Sequence, residues 1–441
     1  MQYGIEWASF YVPSIYLPIS ELAEKRNLDP GKLEKGLGLK KMAFPDANED
    51  AATFAASALL KLITDSGVDP KLIDRIYLGT ESAVDGAKPT ASYAMGMVEK
   101  VLEPNFGPRV FKNCDVVDLT FACIGGVDAL QNCLDYCRMN PGRKAVVIAS
   151  DYAKYELESS GEYTQGAGAV ALLVSGDPKL LALDSQVGVA TESVFDFFKP
   201  RRNYLKDDLK GALDSMPDQI EVFSDEPVFD GQYSNSCYQQ RILEAYEHYK
   251  ELSGKQKPYL NWRYLIFHLP YAFHGKRVFT EIYSKENNLS YQTPEEQKEV
   301  SKSEDYKAFI SEKIEASQRA SSEIGNLYTA SIFMALLSAL EVSLKEGEDL
   351  EGKEIGFLAY GSGSKAKVFS GVVSSLWKEV AQSWNLFEVL EQREAIDFST
   401  YEKLHRKSLS QPVGSKGAGF KLTQIEQDRE ERKGARNYDY Q

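Results

Sequence analysis

Residues 169–174 read AVALLV, six apolar side chains in unbroken succession. A strand sends successive side chains to opposite faces, so this run has no polar face for water and needs cover on both sides. KAVVIAS (144–150), DRIYLGT (74–80) and VVDLTF (116–121) are further strand-like runs with apolar centres. Helical stretches lie between them. EDAATFAASALLKLITDSG (49–67) places Ala52, Phe54, Ala55, Ala58, Leu59, Leu62 and Ile63 near one face, and VDALQNCLDYCRM (127–139) carries Val127, Leu130, Leu134 and Cys137 at helical spacing. Doubly covered strands alternating with such helices define an α/β class with a buried sheet.

The second half repeats the theme after a polar, aromatic-rich interval at about 196–260. YLIFHLP (264–270) is strand-like, IGNLYTASIFMALLSAL (324–340) helical, and IGFLAYGSGSKAKVFSGVV (355–373) reads as strand, glycine turn and a further element. Strands ending in glycine corners in both halves hint at a duplication, although no sequence period is visible. Near the end, FKLTQIE alternates and RNYDY is strand-like, which predicts an edge hairpin. No low-complexity linker interrupts the chain, so one two-lobed unit is expected.

The 441 residues carry 65 acidic against 51 basic side chains, a formal charge of −14. That balance argues against a nucleic-acid or anionic-membrane partner, and any anionic ligand must be met by local positive charge. Five irregularly spaced cysteines (114, 123, 133, 137, 237) make no disulfide framework and suggest a reducing compartment. No signal peptide is read at MQYGIEWASFYVP, and the longest apolar runs fall short of the ~20 residues of a membrane helix. The expectation is a soluble cytoplasmic protein.

Cys123, in VVDLTFACIGGVDAL (116–130), stands where a strand ends and a helix begins. A helix N-terminus there would lower its pKa and favour the thiolate, with Gly125 and Gly126 leaving room for a ligand. The other reading is a small buried hydrophobe, the common fate of a free cysteine. All four histidines (248, 268, 274, 405) lie in the other half. His268, ending an apolar strand, is the best placed, since open α/β sheets build sites at strand ends. His248 and His405 sit among charged helix residues and read as solvated; His274 reads as a loop residue. Glu81, just past DRIYLGT, is a candidate general base. YGSGS (360–364) lacks the spacing of a nucleotide-triphosphate loop, but its backbone N–H groups could hold an oxyanion. Cys133 and Cys137, without a further ligand nearby, read as core, so no metal site is expected.

Taken together, these residues resemble the 3-hydroxy-3-methylglutaryl-CoA synthase family. The markers run almost the whole length: GLGLKKM (36–42), GTES (79–82), ACIGG (122–126), ASDYAKYELESSGEYTQGAGAVALL (149–173), FDFFKP (195–200), PVFDGQYSNSCY (227–238), FHLPY (267–271), GNLYTAS (325–331) and YGSGS (360–364). The resemblance implies a thiolase-like fold of two duplicated α/β halves in alternating αβαβα layers, usually a homodimer. The halves would be residues 1–175, carrying Glu81 and Cys123, and 176–441, with an insertion at about 196–260 and carrying His268 and the glycine-rich loop. It further implies Cys123 as nucleophile, Glu81 as general acid/base and His268 as catalytic histidine. Asn326, Ser362, Thr164 and Ser234 match ligand-binding positions, and Asp85, Asp151 and Asp196 match supporting acids. Departures are Ile124 for a tyrosine, Phe273 for a lysine and Ser160 for an asparagine; a second lysine position is kept basic as Arg277, expected to meet a CoA phosphate. The lysine-rich start (Lys25, Arg26, Lys32, Lys35, Lys40, Lys41) reads mostly as a solvated face.

The implied reaction condenses acetyl-CoA with acetoacetyl-CoA and water through an acetyl-Cys123 intermediate. CoA thioesters are the substrates and no cofactor is needed. Two alternatives in the same fold are a synthase of polyketide β-branching working on acyl carrier proteins and a ketoacyl synthase III-type enzyme, against which Glu81 counts. A third, a non-catalytic acyl-CoA-binding subunit, is expected to have lost at least one of Glu81, Cys123 and His268.

Overall fold

The apolar strands form, and each is covered on both faces. A computed structural model describes residues 2–205, 219–289, 293–415 and 419–441, with the backbone only at 219–221, 294, 295 and 297. The strands of its main sheet are β1 (Gly4–Tyr11), β2 (Ile73–Gly79), β3 (Asp115–Leu119), β4 (Lys144–Ala153), β5 (Gly166–Ser175), β6 (Leu181–Leu183), β7 (Gly188–Thr191), β8 (Trp262–Phe267), β9 (Glu354–Gly361) and β10 (Lys365–Val373). Their order is β8-β9-β10-β6-β1-β5-β4-β2-β3, with β7 also paired to β10. The short β6 bridges the halves, pairing with both β1 and β10.

The two halves share a plan. In the first, β2 runs parallel to β3 and β4, and β4 is antiparallel to β5. In the second, β8 runs parallel to β9, which is antiparallel to β10. The helices covering them are α1 (Ala51–Ser66), α2 (Thr90–Phe106), α3 (Gly125–Met139), α4 (Gly231–Ser253), α5 (His274–Glu286), α6 (Glu315–Ile324) and α7 (Ser331–Glu346). Alternation in β5 sorts the layers. Ala169, Ala171 and Leu173 pack in one core with α1 and α2, while Val170, Leu172 and Val174 join another with α3 and α7. Beyond the second half of the sheet, α4 lies on β7, β9 and β10. The layers thus run α, β, α, β, α. Burying one such Val or Leu contributes about 1.5–3 kcal/mol, so a charge placed in AVALLV would break the core on either face.

The stretch Tyr328–Glu346 is apolar and long enough to cross a membrane, but 89% of it is buried inside the protein. It is the central core helix.

Two features depart from the sequence expectation. The interval at about 196–260 is no simple insertion: most of its second part is α4, whose Tyr238, Tyr246 and Tyr249 are buried in the main core. The chain end also leaves the second half. Residues 394–395 pair with the strand at 15–18, and the hairpin β11 (Phe420–Ile425) and β12 (Arg436–Tyr440) forms a separate two-stranded sheet against α1 and α2. Phe420 and Tyr438 complete the outer core of the first half. Asp50, which caps α1 through the N–H groups of Ala52 and Thr53, also accepts from Tyr438 Oη at 2.8 Å and Arg436 at 3.1 Å. Nothing in the periodicity of 420–440 names this partner, because a two-residue repeat shows an apolar face and not what it meets.

Candidate active site

Parallel strands of both halves end at one place, and the chemistry-bearing residues sit on the corners that follow. Glu81 follows β2, Cys123 follows β3, His268 follows β8, and Ser362 follows β9. Gly79, at the end of β2, makes the first pair possible. A Cβ there would lie 2.2 Å from the backbone nitrogen of Gly126 and 2.5 Å from the Gly125 carbonyl carbon. Only hydrogen fits between the strand end and the start of α3. A Cβ on Gly126 would in turn press on Phe333, Ala149 and Thr329. Gly125 and Gly126 therefore serve close packing of helix on sheet and do not clear space for a ligand, as the sequence had suggested. The residue before the nucleophile, Ala122, is held at φ 41°, a left-handed conformation that costs about 1–3 kcal/mol outside glycine.

The result is direct contact. Cys123 Sγ donates to Glu81 Oε1 at 2.8 Å. Burial pushes the Cys123 thiol well above its ordinary value, and the Glu81 charge adds to the rise. The thiol is thus raised where a helix start had suggested lowering. Glu81 is itself raised to about 7, first by burial and against the pull of Lys199, with Asp151 raising it further. The thiol therefore donates to a carboxyl that titrates near neutrality.

Asp151 is fully buried, and its carboxylate organises the corner. One oxygen accepts from Glu81 N at 2.7 Å, Thr80 Oγ1 at 3.0 Å and Ser82 Oγ at 2.9 Å; the other accepts from Thr329 N at 3.0 Å and Thr329 Oγ1 at 2.5 Å. It ties the Glu81 strand end to the loop before α7, and so one half to the other. Asp196 does similar work across the cavity, accepting from Gly363 N at 2.7 Å, Tyr360 Oη at 2.7 Å and Ser234 Oγ at 3.3 Å. Asp85 does not join them. It is exposed, turns its own loop through the N–H groups of Ala87 and Lys88 at 2.8 Å each, and lies off the cavity wall. A polar loop explains it better than support of the site.

The cavity measures about 440 Å³ and is lined by Cys123, Thr164, Ser234, His268, Arg277, Asn326 and Ser362 among others. His268 is 2% exposed; burial pulls its pKa down to about 3, and its Nδ1 finds no partner in the protein. It is therefore a neutral hydrogen-bonding group at pH 7. Tyr238 holds it in place, donating from Oη to the His268 carbonyl at 2.7 Å and stacking on the ring. Asn326 accepts the Tyr328 N–H at 2.8 Å through Oδ1, which leaves its amide NH₂ for the cavity. Thr164 Oγ1 donates to the Gly161 carbonyl at 2.7 Å. In the glycine-rich loop, the N–H groups of Gly363 and Ser364 are taken by Asp196 and the Glu192 carbonyl. That loop is not the open cradle the sequence suggested.

Arg277 stands at the mouth, donating to the Gly36 carbonyl at 2.8 Å and Tyr271 Oη at 3.1 Å. A second cavity of about 530 Å³ adjoins it, with Lys276, Lys298 and Lys307 on its walls against Glu315. This is local positive charge on an acidic chain. Arg26, by contrast, is absorbed by Glu162 and Glu402 at 2.8 and 2.9 Å.

Several site residues carried no sequence signal. Lys199 Nζ donates to the Glu81 carbonyl at 3.1 Å and lies 4.7 Å above the Tyr328 ring. Cys123 packs with Tyr155, Phe197 and Tyr328 in one small core. A lysine ending the aromatic run FDFF was the available clue. His274 is not a loop residue but begins α5, buried and lining the cavity, and His405 is buried, not solvated, with Nε2 meeting the Tyr155 carbonyl at 2.8 Å. Ile124 packs on the end of β9, where a Cβ on Gly361 would meet its Cγ2 at 2.8 Å. Phe273 covers Gly38 and sits 3.4 Å beneath Lys276 Nζ.

Family models described as Hydroxymethylglutaryl-coenzyme A synthase N terminal and C terminal match residues 1–179 and 181–410. The chain belongs to the hydroxymethylglutaryl-CoA synthase family. It is 32% identical to the Hydroxymethylglutaryl-CoA synthase of Haloferax volcanii over 91% of both chains, and 31% identical to that of Enterococcus faecalis over 94% of both. Its fold superposes on the structure of MvaS in complex with 3-hydroxy-3-methylglutaryl coenzyme A with a TM-score of 0.83 at 32% identity, covering 100% of this chain and 99% of that one. An HMG-CoA synthase structure complexed with CoA gives 0.78 at 28%, covering 100% of both. The synthase of the curacin biosynthetic pathway, at 22% identity and 0.80, shares the fold.

Proposed function

We propose that this chain condenses acetyl-CoA with acetoacetyl-CoA and water to give HMG-CoA and CoA, the step that leads to mevalonate. The observation that carries the reading is the 2.8 Å contact of Glu81 with Cys123, which lines one cavity together with His268. In the first step the thiol proton passes to Glu81 as sulfur attacks the thioester carbonyl, and it leaves on the departing CoA sulfur. An acyl-enzyme replaces one difficult step with easier ones. Glu81, again a carboxylate, then takes a proton from the acetyl methyl. The enolate carbon attacks the ketone of acetoacetyl-CoA, and the new alkoxide takes up the proton that Glu81 received. Water cleaves the Cys123 thioester and restores the thiol.

His268, neutral and buried, suits a hydrogen bond to the ketone oxygen as charge develops there, with the Asn326 amide and Ser362 on the adjoining wall. Thr164 and Ser234 contact the bound thioesters, while Asp151 and Asp196 hold the corners. Arg277 meets a CoA phosphate, and the neighbouring lysines of the second cavity suit the same polyanion. Free CoA thioesters are the favoured substrates over carrier-bound ones. A homodimer fits the sheet edge: β3 is paired on one side only, and Val116, Val117 and Leu119 stay half-exposed. Scattered free thiols and the acidic surface fit a reducing cytoplasm.

Intact-mass measurement after mixing with acetyl-CoA alone tests the reading. One added acetyl group, mapped to the Cys123 peptide, is expected; acetylation elsewhere or none refutes it. Turnover of acetoacetyl only when bound to a carrier protein would favour the β-branching chemistry instead.

A further inference from the structure

The cavity holds a polar side chain that this chemistry does not use. His274, the first residue of α5, is 3% exposed and lines the cavity together with His268, Tyr271 and Arg277. Neither ring nitrogen has a hydrogen-bond partner among the described residues. The ring is held between Tyr238 and Tyr271, with centroids 4.6 and 4.8 Å away, so it has no room to swing toward solvent. Burial and the neighbouring His268 and Arg277 keep the imidazole neutral. One nitrogen then carries hydrogen and the other accepts. Two buried polar atoms without partners are a cost to the free protein, and a ligand that supplies both partners would remove it.

Position narrows the ligand. His274 and Arg277 are three residues apart on one helix face, about 4.5 Å along its axis. His268 and Cys123 line the same cavity from the strand ends. On the acyl-CoA reading above, on which this inference rests, the phosphates meet Arg277 and the thioester meets Cys123. The pantetheine arm must pass between. Its amides each present one carbonyl and one N–H, the complement of a neutral imidazole.

We propose that His274 is a substrate-binding residue whose ring nitrogens hydrogen-bond the amide groups of the pantetheine arm, one to each nitrogen, and so set how far the thioester reaches toward Cys123. His274→Phe keeps a ring between the two tyrosines and removes the nitrogens; His274→Gln keeps a donor and an acceptor. Calorimetric titration of the full-length protein with CoA should give a Kd about tenfold higher for His274→Phe, which is about 1.4 kcal/mol, and a value nearer wild type for His274→Gln. Adenosine 3′,5′-bisphosphate, which has the phosphates without the arm, should bind wild type and His274→Phe equally. His274→Phe should also melt no lower than wild type. Unchanged CoA affinity in His274→Phe would overturn the proposal, as would equal weakening toward CoA and the bisphosphate with a lowered melting temperature, the mark of a packing role. Failure of wild type itself to bind CoA would instead bring down the acyl-CoA reading, and this inference with it.

Discussion

The two halves of the molecule place their functional groups at the ends of their parallel strands but fill those corners with different chemistry. In the first half, the corners after β2 and β3 carry Glu81 and Cys123, whose side chains touch at 2.8 Å. In the second, the corners after β8 and β9 carry His268 and Ser362, with Arg277 further out, and no nucleophile stands among them. Burial acts on both sides but does opposite things. It raises Glu81 to about 7, so the carboxyl titrates near neutrality, and lowers His268 to about 3, so the imidazole is neutral there. On the proposed reaction, one half moves protons and forms bonds while the other orients and stabilises. The lesson is that a duplicated scaffold divides labour through what its corners carry and how each corner is desolvated.

That division is sharpest at the thiol. Cys123→Ser should abolish HMG-CoA formation, a loss beyond about 10⁴-fold, because a serine alkoxide is far harder to form at neutral pH. Peptide mapping should find no acyl adduct. Appreciable turnover would remove covalent chemistry from the first half.

Glu81→Ala should separate the two half-reactions. Acetylation of Cys123 breaks no carbon–hydrogen bond, and losing the Glu81 charge lowers the barrier to thiolate. Acetyl uptake should therefore persist, with the thiol proton passing directly to the departing CoA sulfur in place of Glu81, while condensation falls by ~10²–10⁴-fold. Single-turnover mass spectrometry followed by addition of acetoacetyl-CoA measures both. Near-normal HMG-CoA formation by Glu81→Gln would show that Glu81 only braces the strand end.

His268→Ala should cost less, on the order of 10²–10³-fold in kcat, the usual effect of removing one donor to a developing oxyanion. Acetylation is expected to continue. If acetyl transfer were lost as completely as condensation, the second half would belong to the covalent step and the comparison would fail. Arg277→Ala is milder still, about a three- to tenfold rise in KM for CoA substrates with kcat little moved, as for binding equal in ground and transition states. Steady-state kinetics decide it, and an unchanged KM would deny Arg277 a phosphate.

The smallest effect is on stability. Glu81 is raised from its ordinary 4.5 to about 7 in the folded protein, so the folded state holds a proton that the unfolded chain has released. The resulting stabilisation is complete below about pH 4.5 and fades as pH rises through 7. Condensation should do the reverse, falling as pH drops below 7 and the base is protonated. Glu81→Gln should flatten the fall of melting temperature across this window. An unaltered slope would place the titration elsewhere.

Much of the layering was legible because the apolar runs are long. AVALLV, KAVVIAS and the helices at 51–66 and 125–139 stand where periodicity placed them, since a core leaves a repeat in the sequence that specifies it. Cys123, Glu81 and His268 were legible as strand-end residues of reactive type. Lys199 and His274 were not, because one contacts a backbone carbonyl and the other is defined by partners it lacks. Asp85 misled for a related reason: an acid in a loop looks the same whether it braces a site or turns its own backbone.

By itself, then, the sequence determined the α/β class, the strand ends and the residue types gathered there, because these depend on local pattern. Tertiary structure alone decided that Gly79 lets Glu81 reach Cys123, that the terminal hairpin covers α1 and α2, and that the thiol is raised where a helix start had suggested lowering. The physical reason is that distance and desolvation are sums over neighbours from remote parts of the chain. A charge beside a helix end is activated in water and suppressed when walls such as Tyr155, Phe197 and Tyr328 exclude that water.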